Sequence, residues 1–355
     1  MTTASVWTFF RAGLAVLALM PAAALALMPR ASGAAPAPRD FSLVKTVPIG
    51  GPDKWDYLVY DAGDGRLLVA HGSEVTVLDG ASGRIVGRIG GLKGVHGVAL
   101  VPGLGRGFAA NGGGATMFDT ARLTPLASVP TAAGADAAVY DPASRHVFVM
   151  NGRARSITAI DPGRAAPLAT VPFGGKPEFA VADGAGSLFV NREDQAEIVR
   201  LDTKGPRIAA RWPLPGCVEP QGLALDAAHH WLFSGCSNEK LMVVDARTGH
   251  IIDTLPIGRV NDAVLFDARR GMVFTSNSDG TVSRIAETGA GGFAVLPPLR
   301  SEPGARTMAF DSRRGRLYLV TADLLPGRRH IRHGSVKVLF LDEARAARYT
   351  NRPMN

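Results

Sequence analysis

Asp56, His96, Asp136, Glu178, Gln221, Asp262 and Arg306 follow one another at steps of 40, 40, 42, 43, 41 and 44 residues. Four carboxylates, an imidazole, an amide and a guanidinium thus recur at nearly constant spacing. If a repeated fold gathers them, the carboxylates converge. Convergent oxygens suit Ca²⁺ or Mg²⁺, and an added imidazole from His96 or His71 turns the preference toward a transition metal. Asp136, Glu178 and His96 are the metal ligands the series offers first. A wet opening also accepts polar side chains at no cost, so solvation accounts for such a ring as well. The chain has no C-x-x-C, H-E-x-x-H, G-x-S-x-G, P-loop or dinucleotide fingerprint, and no catalytic residue stands out.

The elements that position these residues show in a second series. Phe148-Val149-Met150-Asn151 is three apolar residues closed by a turn former, as is Leu188-Phe189-Val190-Asn191. The closing residues are His71, Asn111, Asn151, Asn191, Gly235, Asn277 and Thr321, at steps of 40, 40, 40, 44, 42 and 44. Each period holds four short strand-like runs, here termed a, b, c and d. In the second period they begin at Gly97, Gly107, Ala115 and Pro125. Four strands per forty residues is the blade of a β-propeller. The phase fixes closure. Leu43 to Ile49 is a d run with no a, b or c before it, and Val336 to Leu341 is a c run with no d after it. The expected fold is all-β: a seven-bladed β-propeller of four-stranded blades, closed by the N-terminal strand, which removes two bare sheet edges. In such a ring the d–a and b–c connections share one face, called the top here. The seven chemically interesting residues then ring the mouth of the central channel, with the b-strand ends as a second layer. For the Asn residues of that layer, turn chemistry is sufficient explanation.

The 355 residues carry a formal charge of +8, with 46% hydrophobic and 20% charged, and 42 Gly and 24 Pro suit a chain of many turns. Residues 1–34 read as a secretory signal peptide: Arg11, an apolar run from Ala12 to Met28, and small residues at Ser32 and Ala34. An uncleaved anchor is the rival reading, because the apolar run is long. Residues 35–355 make the propeller, with no further span after signal removal. Loss of Arg11 and Arg30 takes the charge from +8 to +6. Periplasmic or secreted location follows, and there Cys217 and Cys236, both in the fifth repeat, form a disulfide candidate. The loop Asp323 to Gly334 interrupts the last blade between b and c and carries Arg328, Arg329, His330, Arg332 and His333, a basic patch facing solvent, an anion or a partner.

The Phe-Val-x-Asn slots, Val244-Asp245 followed by Thr248-Gly249, and Leu255-Pro256-Ile257-Gly258 resemble the YVTN repeat. The chain from about Phe41 to Asp342 is similar to bacterial exported YncE-like propellers. Ser283-Arg284-Ile285-Ala286 lacks the usual Asp, and three blades lack the Asn. The expected function is a binding scaffold without evident catalysis, presenting its mouth and top loops to a small ligand or protein partner, with a divalent cation as the cofactor class. A metal-dependent hydrolase of lactonase type is the alternative, using channel carboxylates around a cation. Single-stranded DNA binding is what the resemblance further suggests. The basic loop favours it, and the acidic mouth opposes it, since phosphates are repelled there.

Overall fold

A computed structural model describes residues 40–289, 291–327 and 330–344, which belong to one compact unit. It forms seven antiparallel four-stranded sheets. Blade 1 is Leu58–Asp61, Arg66–His71, Glu74–Asp79 and Ile85–Ile89, and five blades follow in the same a-b-c-d order. Blade 7 takes a, b and c from Thr307–Asp311, Arg316–Thr321 and Lys337–Glu343, and d from Phe41–Pro48 at the other end of the chain. The closing register runs from Phe41 opposite Glu343 to Pro48 opposite Lys337. The predicted closure is therefore the observed one. The signal-peptide reading, residues 1–34, lies outside the described residues, as do Arg328 and Arg329. Among the described residues the only helix is a short 3-10 turn, Glu193–Gln195, and no helix is long and apolar enough to cross a membrane.

Burial explains the sequence pattern. Phe148, Val149 and Met150 are consecutive and all fully buried, because a b strand is covered on both faces by neighbouring blades. Seven apolar clusters result, one in each seam between blades; that of the 7/1 seam joins Val47, Val338 and Phe340 to Leu67, Val69 and Leu78. Outer strands face water, so Leu43, Leu126 and Leu168 stay about half exposed. The inner strands crowd round the channel. A Cβ on Gly97 would lie 2.7 Å from the Asp136 carbonyl, and one on Gly222 would lie 2.5 Å from the Val264 amide nitrogen. Glycine at these two positions lets adjacent a strands meet. Cys217 and Cys236 bring their Cα atoms to 5.5 Å in disulfide geometry, as their placement around one hairpin predicts.

Candidate functional site

The seven ring residues stand at the top of the inner strands, and Asp56, His96, Gln221 and Arg306 are held through their backbones by the preceding blade or by their own second strand. The Asp56 amide donates to the Ala70 carbonyl at 3.0 Å, and the Thr307 hydroxyl donates to the Asp56 carbonyl at 2.8 Å. Asn191 donates to the Gln221 carbonyl at 2.8 Å, and the Ser276 hydroxyl donates to the Arg306 carbonyl. The second layer is thus largely internal. Asn151, Asn191 and Asn277 are fully buried and bond to neighbouring strands, so their job is to fix the mouth rather than to face it. His71 belongs with them. It is fully buried, donates Nε2–H to the Pro52 carbonyl at 2.7 Å, and sets Nδ1 3.2 Å from the Thr76 hydroxyl. Burial pushes its pKa down, so it stands as a neutral strut under residues 52–56.

Three ring residues converge. His96 Nδ1 lies 2.7 Å from Asp56 Oδ2 and 3.6 Å from Asp136 Oδ1. One ligand atom from each lies within 4.8 Å of the others. His96 is 45% exposed, whereas the two carboxylates are 18% and 21% exposed, so the imidazole is the lip and the acids the floor. The hydrogen bond to Asp56 raises the His96 pKa. Burial, then the charge of Asp56, pushes the Asp136 carboxyl up to about 6.

Glu178, which the sequence offered as a ligand beside Asp136 and His96, turns elsewhere. It is nearly buried, accepts a 2.9 Å hydrogen bond from the Tyr57 hydroxyl, and sits 3.2 Å from Lys176 Nζ, which also pairs with Glu193. Burial, then the charge of Asp136, pushes its carboxyl well above the ordinary range. Asp262 is likewise buried, 3.1 Å from Arg306 Nε; burial lifts its carboxyl to about 7, partly offset by that guanidinium. Gln221 reaches toward the Ser237 hydroxyl at 3.5 Å. Five carboxylates (Asp56, Asp136, Glu178, Glu193 and Asp262) therefore share this space with Lys176 and Arg306. Lys54 adds a third cation at the adjoining wall, and the raised carboxyls of Asp136, Glu178 and Asp262 reflect how closely these buried acids are crowded.

The residues that sequence reasoning missed are Tyr57, Phe179, Lys176 and Glu193. Tyr57 belongs to blade 1 and Glu178 to blade 4, so the Tyr57 side chain crosses the channel. Its ring meets Phe179 edge-on at 5.1 Å. Together they lie below the acidic ring and make the mouth a cup. A signal for this existed: the slot after each ring residue reads Tyr57, Gly97, Ala137, Phe179, Gly222, Ala263 and Thr307. Two aromatics three blades apart, among small residues, can only point into the space those residues leave.

The cup opens sideways into a cavity of about 740 Å³ lined by Trp55, Asp56, His96, Arg306, Leu324 and Ile331. The last two come from the basic loop, whose Leu324 and Ile331 pair as a bridge. Asp53 ties this loop down, accepting 2.6 Å from His333 and 2.8 Å from the Gly334 amide. Arg332 is exposed, 3.9 Å from Asp323. A larger opening of about 920 Å³ lies on the opposite face. Its walls are the ends of a strands and their turns, mainly apolar, such as Val59, Leu100 and Val139, and it holds none of the ring. The charged cup is therefore the better chemical candidate. No family model and no curated protein matches the chain.

Proposed function

We propose that this β-propeller is an exported, YncE-like binding scaffold whose top-face cup holds a divalent first-row transition-metal ion on Asp56, His96 and Asp136. The carrying observation is the convergence of those three ligand atoms within 4.8 Å in a cup crowded with carboxylates. One nitrogen and two oxygens suit Zn²⁺ or Mn²⁺, whereas Ca²⁺ prefers six to eight oxygens. The ion would replace the proton that His96 now shares with Asp56, so binding releases a proton. The adjoining cavity, with Trp55 and Ile331 on its wall, leaves room for a small ligand or a partner's side chain beside the ion. Export is supported by the layout of residues 1–34 and by the Cys217–Cys236 geometry.

A second reading, a hydrolase of lactonase type, draws on the same cup. An ion held by Asp56, His96 and Asp136 would supply Lewis-acid activation of a water there. Single-stranded DNA binding receives no support from the cup, whose carboxylates would face phosphate with no surplus of cations.

The test is calorimetric titration of metal-stripped protein with Zn²⁺. His96→Gln and Asp136→Asn should each weaken cup binding by at least about 100-fold, beyond what loss of an outer-shell partner costs. Glu178→Gln should weaken it less, and Asn151→Ala least. Unchanged affinity in both His96→Gln and Asp136→Asn removes the ion from the cup. Lactone hydrolysis that appears with Zn²⁺ and vanishes in the same two variants would replace the scaffold reading with the hydrolase.

A further inference from the structure

The opposite face carries a second cluster that the cup does not use. Five inner strands end in Asp (Asp61, Asp141, Asp226, Asp267 and Asp311), whose carboxylate caps the a–b turn. Asp226 accepts from the Ala228 amide at 2.9 Å, Asp267 from Arg269 at 3.2 Å, and Asp311 from Arg313 at 3.0 Å. Two positions recur around such an Asp. One is the residue three later in the turn. The other is the residue at the end of the next blade's c strand, or just past it, whose amide bonds back to its own a–b turn.

What fills those positions differs from seam to seam. At the 6/7 seam they are Arg270 and Glu343. The Arg270 guanidinium binds Asp267 at 2.5 Å and Glu343 at 2.7 Å, so one cation bridges both acids. At the 7/1 seam they are Arg314, 2.8 Å from Asp311, and Gly80, so a single acid meets a single cation. At the 3/4 seam they are Ser144, whose hydroxyl donates to Asp141 at 2.7 Å, and Thr203, a neutral residue that brings no second acid.

The 5/6 seam differs from these three. Its residues are Asp226, His229 and Glu287. Glu287 occupies the slot of Glu343: its amide donates to the Gly271 carbonyl at 2.8 Å, as that of Glu343 donates to Gly315 at 2.8 Å. Two carboxylates are present, as at the 6/7 seam, but an imidazole stands where the bridging arginine would be. Asp226 is 2% exposed, and its Oδ2 bonds His229 Nδ1. Ligand atoms of all three residues lie within 4.8 Å of one another. Glu287 Oε1 is buried and has no hydrogen-bond partner among the described residues. Burial, then the charge of Asp226, pushes the Glu287 carboxyl up to about 7, against the opposing charge of His229. The imidazole plane is held by stacking on Trp231 at 4.6 Å, and Trp231 in turn packs edge-on against Phe293 at 5.2 Å.

We propose that the 5/6 seam is a metal site in which Asp226, His229 and Glu287 hold a divalent first-row transition-metal ion in the place that the Arg270 guanidinium fills at the next seam. Two carboxylates balance the ion's two charges, and a neutral imidazole completes an N,O set suited to Zn²⁺. The ion would join two blades, as the arginine does. This site is independent of the cup, on the other face of the ring.

The experiment is Zn²⁺ titration of metal-stripped protein carrying His96→Gln, which silences the cup. One equivalent should remain. Adding Glu287→Gln, or separately His229→Arg, should weaken that equivalent by at least about 100-fold, as for loss of a direct ligand. His229→Arg restores the arrangement of the 6/7 seam, so it should keep the fold and raise the melting temperature of the metal-free protein. His230→Gln, at the neighbouring turn residue, should change nothing. If Glu287→Gln and His229→Arg leave the remaining equivalent intact, or if no equivalent remains with the cup silenced, the proposal is overturned. Loss on His230→Gln alone would assign the binding to an exposed histidine pair and also overturn it. Failure of the cup reading looks different, since His96→Gln would then leave the stoichiometry of the parent protein unchanged.

Discussion

Asp136→Asn tests the electrostatics of the cup, because it should improve stability while it destroys binding. Asp136 lies with its carboxylate 3.6 Å from His96 and under the field of Asp56, largely shielded from solvent. Its carboxyl moves from the ordinary 3.8 to about 6 on folding. The folded protein therefore binds the proton more tightly than the unfolded chain does. In the window between those values folding stability falls as pH rises, and above about 6 the penalty is fully present. At about 1.4 kcal/mol for each tenfold change, the penalty is on the order of 3 kcal/mol, less what the 21% exposure of the side chain screens away. Asparagine keeps the shape and carries no charge. In metal-free protein at pH 7.5, urea unfolding should show Asp136→Asn more stable than the parent by roughly 1–3 kcal/mol. At pH 4.5 the advantage should shrink, because the parent carboxyl is then mostly protonated in the fold. Asp262, raised to about 7, and His96, also raised, act in the same direction, so the metal-free parent should gain stability between pH 8 and pH 5. His71, with its pKa lowered, opposes this as pH drops below its ordinary 6.5. Saturating Zn²⁺ should reverse the order of parent and variant, since only the parent gains binding energy. A variant less stable than the parent at pH 7.5 without metal, or equally stabilised by Zn²⁺, would refute the reading of the cup as charge-frustrated.

Deleting Phe41 to Gly50 removes the outer strand of blade 7 and with it the burial of Val47 and Ile49; a loss of about 3–6 kcal/mol is expected by urea unfolding, and an unchanged midpoint would reject closure by this strand. Replacing Cys217 and Cys236 by Ser opens a crosslink spanning 19 residues and should cost about 3 kcal/mol by chain entropy, while two free thiols in unfolded, non-reduced parent protein would show the bridge unformed. Tyr57→Phe leaves buried Glu178 without its hydroxyl donor from across the channel, a cost of about 1–3 kcal/mol; no change in the unfolding midpoint would mean that Tyr57 does not span the channel in solution.

The sequence by itself determined the fold and its closure, and it offered a circle of candidate residues. Each blade is a local hairpin unit, so a forty-residue period records it directly, and the unpaired d run at Leu43 and c run at Val336 leave one way to complete the ring. The same logic put Cys217 beside Cys236, because both flank one hairpin. Only the tertiary structure decided which ring members work together. A repeat fixes backbone slots, while side-chain direction at a channel mouth depends on residues several blades away. Tyr57 reaches across to Glu178 and Lys176 draws it aside, so Asp56 takes the place beside His96 and Asp136 that the spacing had offered to Glu178. Burial removed His71 from the surface and gave it to the Pro52 carbonyl, although its slot in the repeat matched the other strand ends. The 5/6 seam was invisible for the same reason: Asp226 and Glu287 lie 61 positions apart and in different blades, and nothing in a single period marks them as neighbours until the blades pack.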